Sequence, residues 1–206
     1  VFNPLIFLLL STMLFVIAAP VHVDESSDQA QALAAGILWT LVLLTQLLAL
    51  DGMYRRDFDS GVLEQILLTS QIPFVAVLIR ILMQWLSTGF IIALGSQLIL
   101  IAFVIAPQAL PITFLSLLLG TPALSLLGSI GASVTVGFSR GGIILALLVL
   151  PLFLPTLIFG AEMINAAQLG GGVMPQVYAL GLISLVSLGI APFATLAGLR
   201  ISLEMQ

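Results

Sequence analysis

Cysteine and lysine are both absent from this 206-residue chain, and only 7% of its residues are charged. Without cysteine there is no disulfide, no thiolate metal site and no cysteine nucleophile. The single histidine, His22, cannot build a multi-histidine metal centre. Without lysine the phosphate-binding pattern G-x-x-x-x-G-K-[ST] cannot occur, so the chain does not bind ATP in that manner by itself. Five arginines spread along the chain make no basic patch, which excludes nucleic acid as a partner. No catalytic constellation remains: the expectation is no catalytic residue, no metal site and no directly bound cofactor.

What is present is apolar. Soluble domains carry about 25% charged residues, whereas here 61% of residues are hydrophobic. The class is an all-α polytopic membrane protein, built as one transmembrane domain over 1–206. A spanning helix needs about 20 mostly apolar residues. On that basis six spans are expected, at about 4–20, 31–50, 74–105, 112–136, 143–160 and 176–199. The stretch Leu14–Pro20 has the look of a signal-peptide end. No basic segment precedes it, and a transmembrane helix is expected there instead. The chain starts at Val rather than Met, so a leading segment is expected upstream. Pro107 and Pro111 separate the third and fourth spans, since paired prolines remove backbone donors and end helices. Glu162 to Pro175 reads as an outer loop, and Arg200 to Gln206 as a short tail.

Lys and Arg placement sets membrane orientation. With six spans and both termini cytoplasmic, Arg55, Arg56, Arg80, Arg140 and Arg200 all fall on the inner side. Asp24, Glu25, Asp28 and Glu162 fall on the outer side with no basic residue. Arg80 lies near the inner end of the third span, where its side chain can snorkel to the surface. No ionisable group lies well inside a span, which argues against ion-driven transport. His22 reads as a solvated loop residue. Gly120, Gly128, Gly131 and Gly137 on the fourth segment read as close helix contacts. A kink at Gly120-Thr-Pro122 is the sharper alternative.

Charge gathers in one place, the loop 51–73, which reads DGMYRRDFDSGVLEQILLTSQIP. It holds two of the five arginines and four of the nine acids. Asp57 to Gly61 looks like a helix start, with Ser60 as the cap. Val62, Leu63, Ile66 and Leu67 then form a stripe at helical spacing, with Glu64 and Gln65 off it. A short amphipathic coupling helix between spans 2 and 3 is expected, with its apolar face on the bundle. A helix that only bound anionic lipid would be mostly basic. Here acids outnumber arginines, which favours a protein socket over a simple interfacial helix. The candidate docking residues are Arg55, Arg56, Asp57, Asp59, Glu64 and Gln65. Arg140, Gly141 and Gly142 form a second inner turn. Six helices, no energy source of their own and an inner docking helix suit the membrane subunit of an ATP-driven transporter.

Particular stretches resemble a known family. They are Tyr54 to Leu68 in the loop, Leu118-Leu-Gly-Thr-Pro-Ala-Leu124, Gly137-Phe-Ser-Arg140-Gly-Gly142, Leu150-Pro-Leu-Phe-Leu-Pro155, Leu157-Ile-Phe159 and Ser187 to Ile201. In that order they resemble the CcmB family, the permease-like subunit of the haem exporter of cytochrome c maturation. The resemblance implies an ABC exporter type of permease in the bacterial inner membrane, with a cytoplasmic lead-in ahead of the first span. It implies a cytoplasmic ABC ATPase subunit, which would carry ATP and Mg. It also implies a membrane subunit whose Trp-rich motif handles haem, a small membrane subunit and a periplasmic haem chaperone. Two copies of the chain are implied in the complex, surrounded by membrane lipid. The implied function couples ATP hydrolysis to haem export or to release of the haem-loaded chaperone. The alternatives are an exporter subunit for a lipid, glycan or drug, and a scaffold that only anchors the ATPase.

Overall fold

A computed structural model of the chain describes Ile6 and residues 28–100, 109–138 and 141–204. The expected first span at 4–20, the outer acids Asp24 and Glu25, His22, the Pro107 break and Arg140 lie outside the described residues. What is described is helical. The elements are α1 Asp28–Asp51, α2 Arg55–Asp59, α3 Val62–Thr69, α4 Pro73–Gln84, a π-turn Trp85–Gly89, α5 Phe90–Leu100, α6 Leu110–Thr135, α7 Gly141–Gln168 and α8 Met174–Glu204. Among the described residues, five helices are long and apolar enough to cross a bilayer.

Local chemistry explains most boundaries. Proline stands in the first turn of both α4 and α6, where its missing N–H costs nothing. Helix α7 runs past Glu162 to Gln168 and stops at Gly170, which has φ +70°. The amide of Gly171 reaches back to the Ala166 carbonyl at 2.8 Å, and that of Gly170 to Ala167 at 3.3 Å. This glycine-closed helix end corrects the expected loop from Glu162: an acid does not stop a helix, whereas a left-handed glycine does. Likewise Arg200 lies within α8, which runs beyond the expected end at 199.

Side-chain contacts set the helix directions. Trp39 of α1 sits beside Gly120 of α6 and Gly160 of α7, and Leu50 sits beside Gly128. Thus α1 and α6 run parallel while α7 runs against them. Ser184 donates to the Leu119 carbonyl, Ser129 and Thr195 share a hydrogen bond of 2.9 Å, and Ser202 donates to the Ser133 carbonyl at 2.8 Å. So α8 is parallel to α6 as well. Arg80 meets Met53 and Gly89 meets Gln46, which makes α4 antiparallel to α1. The spans therefore alternate in direction. The ends of α1, α6 and α8 and the starts of α4 and α7 share one end of the bundle.

Helix α6 is the central column. Its buried residues include Ser116, Gly120, Thr121, Ser125, Gly128, Ser129, Gly131 and Ser133. Lipid supplies no hydrophobic drive between helices, so close van der Waals contact and hydrogen bonds must hold them. The expectation that the α6 glycines are contact points is met at Gly120, Gly128 and Gly131, where a Cβ would strike Trp39, Leu50 and Val149. Pro122, Pro151, Pro155 and Pro192 all lie inside continuous helices. Next to Pro122, whose missing N–H frees the Leu118 carbonyl, the Ser184 hydroxyl donates to the adjacent Leu119 carbonyl and ties α8 to α6 there.

Trp39 is the tightest lock. It is fully buried, its Nε1–H donates to Ser116 Oγ at 3.2 Å, and Ser116 donates to the Gly160 carbonyl at 2.9 Å. One indole thereby joins three helices. Gly160→Ala drives a methyl into the Trp39 ring and is expected to destabilise the bundle by about 1–3 kcal/mol. A lowered thermal midpoint in detergent checks this. Gly189→Ala, which points into open space, leaves the midpoint unchanged.

Candidate functional site

The loop 51–73 caps the end of the bundle where α1, α6 and α8 finish. It is not a free tether. After α1 the chain turns at Gly52–Tyr54, makes one short turn as α2, and passes through Gly61 into α3. Gly61 has φ +72°, a conformation that glycine adopts without strain. This corrects the expected Ser60 cap. The Ser60 hydroxyl instead donates to the Asp57 carbonyl at 3.4 Å, and no side chain caps α3. A left-handed glycine turns the chain more sharply than a capping serine needs, so the amphipathic helix begins at Val62.

Two arginines clamp the loop. Arg80, from the second turn of α4, ion-pairs with Asp57. It also donates to the Met53 carbonyl at 2.6 Å and lies over the Tyr54 ring at 5.5 Å. Its side chain, 36% exposed, reaches toward the loop at the bundle end, in the direction the expected snorkelling requires. A charge close to an apolar span gains more from a carboxylate, a carbonyl and an aromatic face than from reaching alone for water. The second clamp is Arg55. Its guanidinium donates to the Phe138 carbonyl at 3.2 Å and pairs with Asp51 at 3.5 Å, one helical turn back. Gly141 and Gly142 accommodate that pair because they carry no side chain. A Cβ at Gly141 would strike the Arg55 guanidinium, and one at Gly142 would approach the Asp51 carboxylate to 3.0 Å. The Asp51–Arg55 pair is half exposed, and its Coulomb contribution is about 0–1 kcal/mol. Arg80, with a carbonyl bond as well as the carboxylate, is the stronger anchor.

The nine residues singled out from sequence therefore divide. Arg55 and Asp57 are used inside the molecule, and Gly141 and Gly142 make room for Arg55 and Asp51. Arg56, Asp59, Glu64 and Gln65 are exposed on the outer side of the loop. Arg140 lies outside the described residues. Of the expected apolar stripe, Leu63 is buried and Leu67 packs against the core, whereas Val62 and Ile66 are about 40% exposed. The stripe faces the bundle along only one edge. Asp51, Tyr54, Arg80 and Phe138 escaped the sequence reading of the site. Two signals pointed to them. Asp51 and Arg55 are four apart on a helical stretch, and an arginine beside an apolar span needs a partner.

Arg55, Arg56, Arg80 and Arg200 all lie at this end of the bundle, and Glu162 lies near the opposite end of α7. No group of three His, Cys, Asp or Glu that could hold a metal occurs among the described residues. A bundle of long apolar helices, capped at one end by a clamped loop of mixed charge, defines an integral membrane protein. Comparison with known proteins gives the family. The family model for CcmB protein matches residues 1–202, and the chain belongs to that family. Among its relatives is a "Heme exporter protein B" of Pseudomonas aeruginosa, 40% identical over 97% of this chain and 88% of that one. A protein of the same name from Paracoccus denitrificans is 44% identical over 90% of this chain and 85% of its own length. A third, from Escherichia coli K12, is 36% identical over 98% and 90%.

The Arg80 clamp has a direct test. A cysteine at buried Met53 keeps the main-chain carbonyl that Arg80 uses. Loss of a hydrogen bond to a charged group costs about 1.5–3 kcal/mol. Arg80→Gln is therefore expected to raise the thiol-labelling rate at position 53 by about tenfold or more. Arg56→Gln, on the exposed side, leaves that rate unchanged.

Proposed function

We propose that this chain is the membrane subunit of a haem exporter in cytochrome c maturation, working in the bacterial inner membrane. The observation that carries the reading is full-length membership of the CcmB family, with relatives named heme exporter protein B at 36–44% identity. The clamped loop supplies the mechanism. Its arginines put that end of the bundle in the cytoplasm, because basic residues stay inside. Both termini of a six-span chain then lie inside as well.

A partner ATPase docks on Arg56, Asp59, Glu64 and Gln65. These residues face outward, while their neighbours Arg55 and Asp57 hold the loop to the bundle. A push on α3 therefore has two routes inward. One runs through Arg80 into α4, and the other through Arg55 into the turn between α6 and α7. ATP and Mg stay on the ATPase. Haem is handled by a partner membrane subunit with a Trp-rich motif and by a periplasmic chaperone, whose haem-loaded form is released by the stroke. A small membrane subunit and a second copy of this chain complete the complex.

The charge reversal Asp59→Arg with Glu64→Arg opposes the sign of the docking face without touching either clamp. The double variant is expected to insert normally and to lose most of its co-purifying ATPase. In a strain lacking the chain, wild type restores holo-cytochrome c and the double variant fails to do so at equal membrane level. Unchanged holo-cytochrome c in the deletion strain would falsify the haem-maturation reading. Normal ATPase capture by the double variant would refute the docking face alone.

A further inference from the structure

The helix that takes the push is broken one turn above Arg80. Between α4 and α5 the backbone forms the π-turn Trp85–Gly89, with the amide of Phe90 bonding back to the Trp85 carbonyl. A π-turn inside an α-helix mismatches donors and acceptors, and such turns recur where helices rearrange. Here the local hydroxyls gather on one carbonyl. Both Ser87 and Thr88 donate to the Gln84 carbonyl, at 3.0 and 2.7 Å.

Facing this turn from α1 is Gln46. It is fully buried, and neither its amide nitrogen nor its amide oxygen has a hydrogen-bond partner. It lies against Gly89, where a Cβ would come within 2.8 Å of Gln46 Nε2. A buried, unpaired amide is costly, and here it stands beside main chain whose hydrogen bonding is already irregular. A third observation gives α4 somewhere to go. A groove of about 290 Å³ separates Ile81, Leu82 and Trp85 on α4 and the π-turn from Pro122 on α6 and Gly181 and Leu185 on α8. Its walls are almost wholly apolar, so closing it breaks no polar contact. Trp85 is pinned at the rim, with Nε1–H donating to Thr121 Oγ1 at 3.0 Å.

We propose that the π-turn Trp85–Gly89 is the hinge of the transport stroke. On this inference α4 swings about Trp85 toward the α6–α8 groove, α5 stays with the core, and Gln46 is the positioning residue that bonds the main chain of the turn when it rewinds. The inference deepens the function proposed above and rests on it, because the ATPase is what drives α4 through Arg80. Each part has a separate role. Arg80 delivers the displacement, the groove receives it, and the unpaired Gln46 amide makes the described state costly enough for a second state to compete.

The absence of cysteine allows clean spin labelling of the complete complex with its ATPase. One label goes on Ile79 below the hinge or Leu94 above it, both outward-facing. The other goes on Ile158, close in sequence to the Trp39 lock at Gly160. Between the nucleotide-free and ATP-trapped states the 79–158 distance is expected to shift on the order of 5 Å, one helical turn, while the 94–158 distance stays. Equal shifts at both positions mean a rigid helix and overturn the hinge. No shift at either position in a complex that hydrolyses ATP overturns it too. Failure of the ATPase to co-purify with wild type removes the driver, and that result is seen before any label is added. Gln46→Leu supplies the second readout. A hinge role predicts an unchanged or higher melting temperature with the 79–158 shift reduced at least threefold. A purely structural role predicts a lower melting temperature and a full shift, which refutes the assignment.

Discussion

Everything in this bundle depends on how closely α6 can be approached. A helix surrounded by lipid-like neighbours gains nothing from burying leucine against leucine, because the bilayer offers the same surroundings. It gains from contact too close for lipid to match and from hydrogen bonds between helices. Gly120, Gly128 and Gly131 let Trp39, Leu50 and Val149 reach the α6 backbone. Ser116, Ser129 and Ser133 carry bonds to α1, α7 and α8. These contacts place α1, α7 and α8 around α6 with little room for adjustment. The remaining described span, α4 with its π-turn and α5, is attached more loosely, by Trp85 to Thr121 and by Phe74 tilted against Phe193 at 4.4 Å.

The loop 51–73 inherits its position from that column. Leu50, last before the loop, is fixed against Gly128, so Asp51 and Arg55 emerge beside the 137–142 turn. Gly141 and Gly142 have no side chain to obstruct them. Arg80 then closes the loop from the other side, onto Met53 and Asp57. The two clamps differ in what they join. Arg55 ties the loop to the rigid α6–α7 pair, whereas Arg80 ties it to the loosely held α4. A force on the outward residues meets resistance through the first clamp and compliance through the second. Such a division turns a push into a bend, because a loop tied only to rigid parts would move nothing.

Much of this was legible in the sequence, and the limits have physical causes. Hydropathy located the five described spans because twenty apolar residues in a row have few other uses. Glycine spacing on α6 foretold contact faces because only small residues allow backbones to touch. Mixed charge marked 51–73 as the polar cap. What stayed hidden depends on distant partners. Nothing local says that Arg80 turns toward Asp57 and Met53, twenty-three and twenty-seven positions back in the chain. Arg55 and Asp57 were read as docking residues because a charge pattern does not reveal which charges are already paired. Glu162 was read as the start of a loop because an acid looks like a boundary. The boundary belonged to Gly170, whose backbone closes the helix. Trp39 looked isolated because its two glycine partners and its serine lie far along the chain.

The distribution of polar groups now has a single rationale. Ser129 and Thr195 bond to each other, and Ser184 and Ser202 of α8 donate to carbonyls of α6, and these bonds stiffen the interface. Gln46 is different: it is larger than serine, has four bonding sites, and faces a π-turn rather than a regular helix. The Tyr54, Ser125 and Thr156 hydroxyls are also buried without partners, but of these groups Gln46 is the one set against the π-turn, and an unpaired amide is tolerated most readily where a second arrangement can pair it. That argument links the chemistry the chain lacks to the way it works. On the function proposed above, a partner ATPase drives this subunit mechanically. A mechanical device needs a fixed part, a compliant part and a polar contact that distinguishes its two positions. The α6 column, the α4 hinge and Gln46 supply them in that order.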